Sequence, residues 1–317
     1  MTAKKLVFVA VLVVLVYGAI LLWGDVGKLR LVLSGYRWWT FFLALALAFT
    51  NYLLRFLKWQ YYLKLLGITG VPWWESLAIH LSGFVMSITP AKAGEVFKSG
   101  LLLRSRGVPI ARSAPIVVAD RLTDLTSLIL IVGVGGLYFP GGTLPALAAL
   151  GLVGGIMAFV LVRPLGELAL SLVGRVSIGA RLAPKLRTAY DALRILASPA
   201  ALLWPTFLSV VAWGCECLGL WVILRGVGHA VSPAVAFFVY STATIAGAVA
   251  MLPGGVGGTE GMMIALLRAL AADVPEAHAT AATLLVRLAT LWFAVLVGVV
   301  ALLCFNRWAG RAKAIAA

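Results

Sequence analysis

The stretch MSITPAKAGE, residues 86–95, interrupts one apolar region of the chain, and the related stretch AMLPGGVGGTE, residues 250–260, interrupts another. Each joins two short apolar segments through proline, glycine and a carboxylate. Non-helical backbone is tolerated at membrane depth only where protein buries it or where it lines a cavity. Two such breaks, one in each half of a chain, indicate a transporter with its binding site between them.

The composition is that of a polytopic membrane protein. Of the 317 residues, 62% are hydrophobic and 12% are charged, a balance that soluble domains do not have. The net charge of +15 is therefore expected to reflect orientation and lipid contact, not nucleic-acid binding. Nucleotide-binding, zinc-protease and serine-hydrolase motifs are absent from the sequence. We therefore expect neither a cofactor nor a metal, and no enzyme activity.

Six segments have the length and apolar character to cross a bilayer, which takes about 20 residues. They are residues 5–23, 37–57, 111–138, 143–162, 201–224 and 278–305. The interrupted regions, residues 75–104 and 233–271, are too short on either side of the break to cross, and we predict that they are re-entrant hairpins. The predicted fold is an all-α, single membrane domain, residues 1–317, with six transmembrane helices and two re-entrant helical hairpins.

The distribution of lysine and arginine predicts the orientation. With both termini in the cytoplasm, most of these residues fall in cytoplasmic loops, as the positive-inside rule requires. Residues 163–200 are basic and amphipathic, and we predict a cytoplasmic linker along the membrane surface. The expected location is a bacterial inner membrane.

Residues 37–138 and 201–305 are predicted to be the halves of an inverted repeat. Positions that match between them are Gly67 and Gly228, Pro72 and Pro233, Pro90 and Pro253, Glu95 and Glu260, and Arg121 and Arg287. In the predicted topology the first hairpin enters from the cytoplasmic side and the second from the outer side, so the halves are inverted, an architecture that supports alternating access. Chance matching of two leucine-rich halves is the competing explanation.

Charged residues within the predicted spans are the candidate site. Arg55 and Lys58 share one helix face, which fits a patch for a lipid phosphate or, alternatively, anchoring at the membrane interface. Asp120, Arg121 and Asp124 lie within an apolar span, where charges face partners or a wet cavity. They are either substrate contacts or a structural ion-pair cluster.

The two breaks supply the remaining candidates. Arg287 has no acid near it in the sequence, so its expected partner is Glu95 or Glu260, and either glutamate could also carry a coupling proton. A glycine-rich run allows backbone to approach a ligand closely, although such runs also form plain turns. Its candidate residues are Pro253, Gly254, Gly255, Gly257 and Gly258. Glu216 is an intramembrane acid without a sequence neighbour and a weaker candidate.

The motifs TPxxxGE, DRLxDL and LPGGVGGTE together resemble the flippase-like family that includes the membrane part of lysylphosphatidylglycerol synthase, over about residues 5–305. In the synthase a cytoplasmic catalytic domain follows. Because this chain ends at Ala317, the resemblance implies the lipid-moving activity and argues against the synthase activity. Relatives that stand alone are associated with polyprenyl-phosphate sugars, glycolipids or hopanoids.

The resulting hypothesis is a lipid translocase for an anionic or glycosylated lipid, such as a phospholipid, a polyprenyl-phosphate-linked sugar or a hopanoid-type lipid. Arg55, Arg121 and Arg287 would hold the phosphate. The expected partners are the membrane lipid, a coupling proton and a second copy of the chain. Two alternatives remain open: an integral-membrane enzyme acting on lipid phosphates, and an accessory subunit of a lipid or glycan synthesis complex.

Overall fold

The structure is a computed structural model that describes residues 26–89, 94–138 and 177–316, together with four positions between 147 and 155. No strand occurs among these residues, which confirms the all-α prediction. The predicted spans 5–23 and 143–162 lie outside the continuous described ranges, as does the first part of the linker.

We number the α-helices of the described ranges in chain order. They are α1 Val26–Ser34, α2 Trp39–Leu65, α3 Trp73–Ser82, α4 Phe97–Arg106, α5 Ile110–Ser113, α6 Pro115–Gly136, α7 Ser177–Leu196, α8 Pro199–Gly226, α9 Pro233–Val249, α10 Gly258–Leu270, α11 Glu276–Arg287 and α12 Phe293–Ala316. Short elements between them include 3₁₀ turns at Gly83–Ile88, at residues 94–96 and at Pro253–Gly255, and a π turn at Leu288–Trp292.

Several helices are suited to a membrane. By length and composition, three of the described stretches could cross one: Trp39–Leu65, Ala200–Gly226 and Glu276–Arg307. They coincide with predicted spans 37–57, 201–224 and 278–305. Helix α6 has 22 residues, about 33 Å at 1.5 Å per residue, but it carries three charges. The chain is thus a membrane protein, while the count of six spans stays a prediction.

Helices α2 and α8 form the centre of the fold and run antiparallel. At one end, the Arg37 N–H donates to the Gly226 carbonyl at 3.1 Å. At the other end, Lys58 Nζ donates to Ser209 Oγ at 2.5 Å. The residue numbers of the contacting positions therefore increase along α2 and decrease along α8. This pair brings the first helix of each predicted half into direct contact.

The two interrupted regions each form a pair of short helices. Helices α3 and α4 flank the first break, and α9 and α10 flank the second. Helix α3 packs chiefly against α12, and α9 packs against both α10 and α6, so each hairpin contacts the last long helix of the opposite half. The breaks also meet, because a Cβ added to Gly254 would lie 3.6 Å from the Ile88 Cα.

The backbone conformation of the second break favours glycine. Pro253 begins the turn, and Gly254 and Gly255 follow with φ of 63° and 68°. Side chains other than glycine are disfavoured in this left-handed region. The run thus ends α9 and lets the chain reverse before α10 begins.

The described part of the predicted linker is helical. Helix α7 packs against α5 and α6, and Ala192 and Leu196 are buried in the contact. Apolar side chains in the second part of α7 therefore pack against α5 and α6. The cytoplasmic position of residues 163–200 stays a prediction.

Candidate functional site: a charged cavity between the hairpins

A cavity of about 330 Å³ lies where the two breaks face helices α2, α6 and α8. Its walls include both acidic and basic side chains from each half of the chain. The charged residues among them are Arg55, Glu95, Arg121, Asp124, Glu216 and Arg287. All three arginines of the sequence hypothesis therefore reach one cavity.

Arg55 belongs to a buried four-charge cluster, which we define as Arg55, Lys58, Asp120 and Asp124. Arg55 Nη2 lies 3.1 Å from an Asp120 oxygen and 2.9 Å from an Asp124 oxygen. Lys58 Nζ lies 2.6 Å and 3.0 Å from the same two carboxylates. The acids are one turn apart on α6, so both face α2. The cluster is charge-balanced, as burial demands.

The four residues of the cluster differ in their position relative to the cavity, a difference that the sequence did not indicate. Helix α2 continues to Leu65, so Lys58 lies inside the helix and not at its end, and none of it is exposed. Neither Lys58 nor Asp120 lines the cavity, whereas Arg55 and Asp124 do. The structural interpretation therefore suits Lys58 and Asp120, while Arg55 and Asp124 remain placed for substrate contact.

Arg121 pairs across the first break. Its Nη2 lies 2.7 Å from Glu95 Oε2, whereas the distances to Asp120 and Asp124 are 3.5 Å and 3.6 Å. The contact with Asp124, within the same helix, is thus the longest of the three. The Glu95 side chain is 1% exposed and the Arg121 side chain 27%. Glu95 therefore anchors an arginine that remains accessible from the cavity.

Arg287 pairs across the second break. Its Nε lies 2.6 Å from Glu260 Oε1, and its Nη2 donates to the Gly254 carbonyl at 2.6 Å. Glu260 Oε2 also accepts from the Gly257 N–H at 2.8 Å, at the start of α10. Glu260, one of the two expected partners, thus caps a helix and holds an arginine. It does not line the cavity.

Only part of the glycine-rich run lines the cavity. Gly254 and Gly255 line the cavity, whereas Pro253, Gly257 and Gly258 are not among its lining residues. These last three shape the turn and the start of α10. The sequence analysis missed Gly247 on α9, where an added Cβ would lie only 1.9 Å from Thr259 Oγ1. Because Gly247 has no side chain, α9 and α10 can pack closely against each other.

Glu216, the weaker candidate in the sequence, is a cavity residue in the structure. Its carboxylate lines the cavity and accepts a hydrogen bond from the Tyr240 hydroxyl at 2.6 Å. One turn before it, the ring of Trp213 lies 5.9 Å from the Arg55 Cζ. Tyr240 comes from α9, so no local sequence signal could have revealed this contact.

The end of α11 departs from regular helix beside the cavity. Residues Leu288–Trp292 form a π turn immediately after Arg287. The Tyr52 hydroxyl of α2 donates to the Thr290 carbonyl within that turn at 2.8 Å. Single π turns in α-helices are frequent at functional sites, and this one sets where Arg287 enters the cavity.

Comparison with known families supports the resemblance noted from the motifs. The family model described as the lysylphosphatidylglycerol synthase TM region matches residues 7–298. That range contains both breaks and every cavity residue. No individual curated protein matches the sequence.

Proposed function

Because the chain belongs to the family of the lysylphosphatidylglycerol synthase transmembrane region, we propose that it is a lipid translocase that moves a phosphate-bearing headgroup through the cavity. Family membership connects the chain with membrane lipid. The observation that carries the proposal is the convergence of Arg55, Arg121 and Arg287, from both halves, on one cavity. The chain is proposed to reside in a bacterial inner membrane, with both termini cytoplasmic.

Two of these arginines, Arg55 and Arg121, retain hydrogen-bonding capacity for a phosphate. A guanidinium group has five N–H donors and binds phosphate in a bidentate manner. Arg55 Nε and Arg121 Nε are buried without a hydrogen-bond acceptor among the described residues. The cavity, at about 330 Å³, lies near the lower limit for ligand pockets. A headgroup fits that space, while the lipid tails would stay in the bilayer.

Three features of the fold support an inverted repeat and alternating access. Helices α2 and α8 are antiparallel, as equivalent helices of an inverted repeat must be. Each hairpin packs against the last long helix of the opposite half. The two breaks meet at the cavity. Rocking of one half against the other would separate these breaks and open the cavity to the other side.

The glutamates at the breaks have a proposed role in that cycle. Glu95 and Glu260 each hold an arginine, at 2.7 Å and 2.6 Å. A phosphate that binds Arg121 or Arg287 competes with that carboxylate for the same donors. The displaced carboxylate could then take up a proton, which would couple lipid movement to a proton gradient.

A translocation assay tests the proposal. The purified chain is reconstituted into liposomes that contain a phospholipid with a fluorescent tail, and dithionite quenches the label in the outer leaflet. We expect wild-type protein to expose inner-leaflet lipid, and Arg121→Lys and Arg287→Lys to slow this exposure at least tenfold, because lysine lacks the bidentate geometry. Arg268→Lys is the matched control, since Arg268 is 56% exposed and pairs with Glu276.

Three outcomes would count against the translocase or favour one of its alternatives. Lipid exposure no faster than in protein-free liposomes would contradict a translocase. Chemical conversion of the labelled lipid, followed by chromatography in the same samples, would instead favour the enzyme. Co-purification of a synthase by a chain that moves no lipid would favour the accessory subunit.

A further inference from the structure

The exposure of the cavity wall indicates where the cavity opens. The described lining residues that are not buried come from two places: helix α6, and the stretch that ends α9 and forms the second break. They are Arg121, Leu125, Thr244, Ile245, Ala248, Leu252, Gly254 and Gly255. The described lining residues from every other element are buried. The cavity is therefore accessible between α6 and α9.

Helices α6 and α9 form a gap that is closed at one end. They approach each other at Gly135, where an added Cβ would lie 3.2 Å from the Phe238 Cβ. Leu125 lies ten residues before Gly135 on α6, and Ala248 lies ten residues after Phe238 on α9, so each is about 15 Å along its helix from that contact. There both residues line the cavity and are accessible. We call this part of the gap, between Leu125 on α6 and Ala248 with Leu252 on the other side, the lateral opening.

The walls of the lateral opening are apolar, with a charge at the edge. Leu125, Ile245, Ala248 and Leu252 are apolar, and Arg121 is the one charged residue among the accessible lining residues that the structure describes. Arg121 lies one turn before Leu125 on α6, and its side chain is 27% exposed. A water-soluble anion would lose hydration against such walls without compensation. The composition instead suits a molecule with an anionic group and a hydrocarbon chain.

The apolar surface extends outward from the lateral opening on both sides. Val118 lies two turns before Leu125 on the same face of α6 and is 52% exposed. Val249 and Met251, at the end of α9, are 75% and 58% exposed. A hydrocarbon chain along these residues would stay in contact with the bilayer while its headgroup lies inside the cavity.

We propose that the lateral opening binds the hydrocarbon chain of a lipid whose phosphate binds at Arg121, and that the lipid enters the cavity sideways between α6 and α9. This inference rests on the proposed function and adds to it a tail-binding site and a route of entry. It also separates two sources of the same headgroup chemistry. A lipid occupies both Arg121 and the lateral opening, whereas a free phosphate ester occupies Arg121 alone.

A photoreactive lipid tests the tail-binding site. The purified full chain, in maltoside micelles that contain no phosphate, is mixed with a trace of phosphatidylglycerol that carries a diazirine on one acyl chain. Labelled residues are mapped by mass spectrometry after irradiation, and we expect labels in residues 118–125 and 245–252. Arg121→Gln should reduce these labels about tenfold to a hundredfold, the effect of one charge-assisted contact, because occupancy follows affinity at trace concentration.

Two controls distinguish this site from ordinary contact with the micelle. Residues 296–303 of α12 include exposed apolar side chains at Leu296, Val300 and Leu303, and their labelling should be the same in wild-type protein and in Arg121→Gln. Arg268→Gln makes the matching change at an arginine that is 56% exposed, and it should leave every label unchanged. If Arg121→Gln leaves the labelling of residues 118–125 and 245–252 unchanged, the inference is overturned.

A competition experiment with wild-type protein does not depend on the folding of a variant. Dihexanoyl phosphatidylglycerol should displace the label at a concentration at least a hundredfold lower than glycerophosphoglycerol, which has the same headgroup and no chains. The reason is that each buried methylene favours binding about fourfold. Equal potency of the two competitors would mean that the cavity binds a free phosphate ester, and the tail-binding site would be wrong.

Failure of this inference can be told from failure of the proposed function. If the reconstituted protein moves lipid but residues 118–125 and 245–252 are labelled no more than residues 296–303, the lateral opening is wrong and the translocase stands. If the lateral opening is labelled as expected but the protein moves no lipid, the tail-binding site stands and the translocase is wrong.

Discussion

Replacement of Lys58 by methionine tests whether the buried four-charge cluster is an internal support or a part of the substrate site. None of Lys58 is exposed, and its Nζ contacts Asp120 at 2.6 Å and Asp124 at 3.0 Å. Methionine has similar length and no charge. Loss of one partner of a buried ion pair costs about 3–5 kcal/mol. Arg55 remains beside both acids, so we expect the lower end, about 3 kcal/mol.

This energy converts into a measurable shift. For larger domains, 1 kcal/mol changes the midpoint of thermal unfolding by about 2 °C, so Lys58→Met should lower the midpoint by roughly 6 °C. Unfolding of detergent-solubilised protein can be followed by tryptophan fluorescence. Lys64→Met is the control, because Lys64 lies on the same helix and is exposed, and it should leave the midpoint unchanged.

A second variant separates charge imbalance from loss of packing. The double change Lys58→Met and Asp120→Asn restores the charge balance of the cluster, and most of the lost stability should return. If Lys58→Met instead keeps the wild-type midpoint but abolishes lipid binding, Lys58 is a substrate ligand and the reasoning from burial is wrong.

Two further changes test the second hairpin. Gly247→Ala should lower the unfolding midpoint by the equivalent of 1–3 kcal/mol, because overpacking carries about that penalty and the new Cβ would lie 1.9 Å from Thr259 Oγ1; Thr259→Ala in the same protein should recover part of the loss, and no recovery would locate the clash elsewhere. Glu260→Gln should reduce both the unfolding midpoint and lipid translocation, since Glu260 caps α10 and holds Arg287; a variant of full stability that moves no lipid would assign Glu260 to transport alone.

Much of this architecture could be predicted from the sequence because it depends on local patterns. Apolar length located three of the spans, and proline with glycine located both breaks. An arginine without a local acid limited the expected partner of Arg287 to Glu95 or Glu260, and the structure has the pair with Glu260. Each of these signals lies within one segment or repeats at a fixed distance.

The rest depends on which helices become neighbours, which apolar periodicity does not specify. Lys58 at the end of a predicted span fitted an interface anchor, whereas α2 continues to Leu65 and places Lys58 against α6 and α8. Glu216 gained its significance only when α9 placed Tyr240 beside it.

A reversible cross-link between the two breaks tests most directly whether lipid passes through the cavity as the breaks separate. Gly254→Cys and Ile88→Cys, in a chain whose Cys215, Cys217 and Cys304 are replaced by serine, place thiols at positions where an added Cβ lies 3.6 Å from the opposing Cα, within reach of a disulfide. In reconstituted liposomes, with labelled lipid measured by extraction into albumin because dithionite would reduce the disulfide, oxidation should stop lipid exposure in the double variant but in neither single variant, and a thiol reductant should restore it. If the cross-link is complete and lipid still moves as fast as it does before oxidation, lipid does not pass through this cavity.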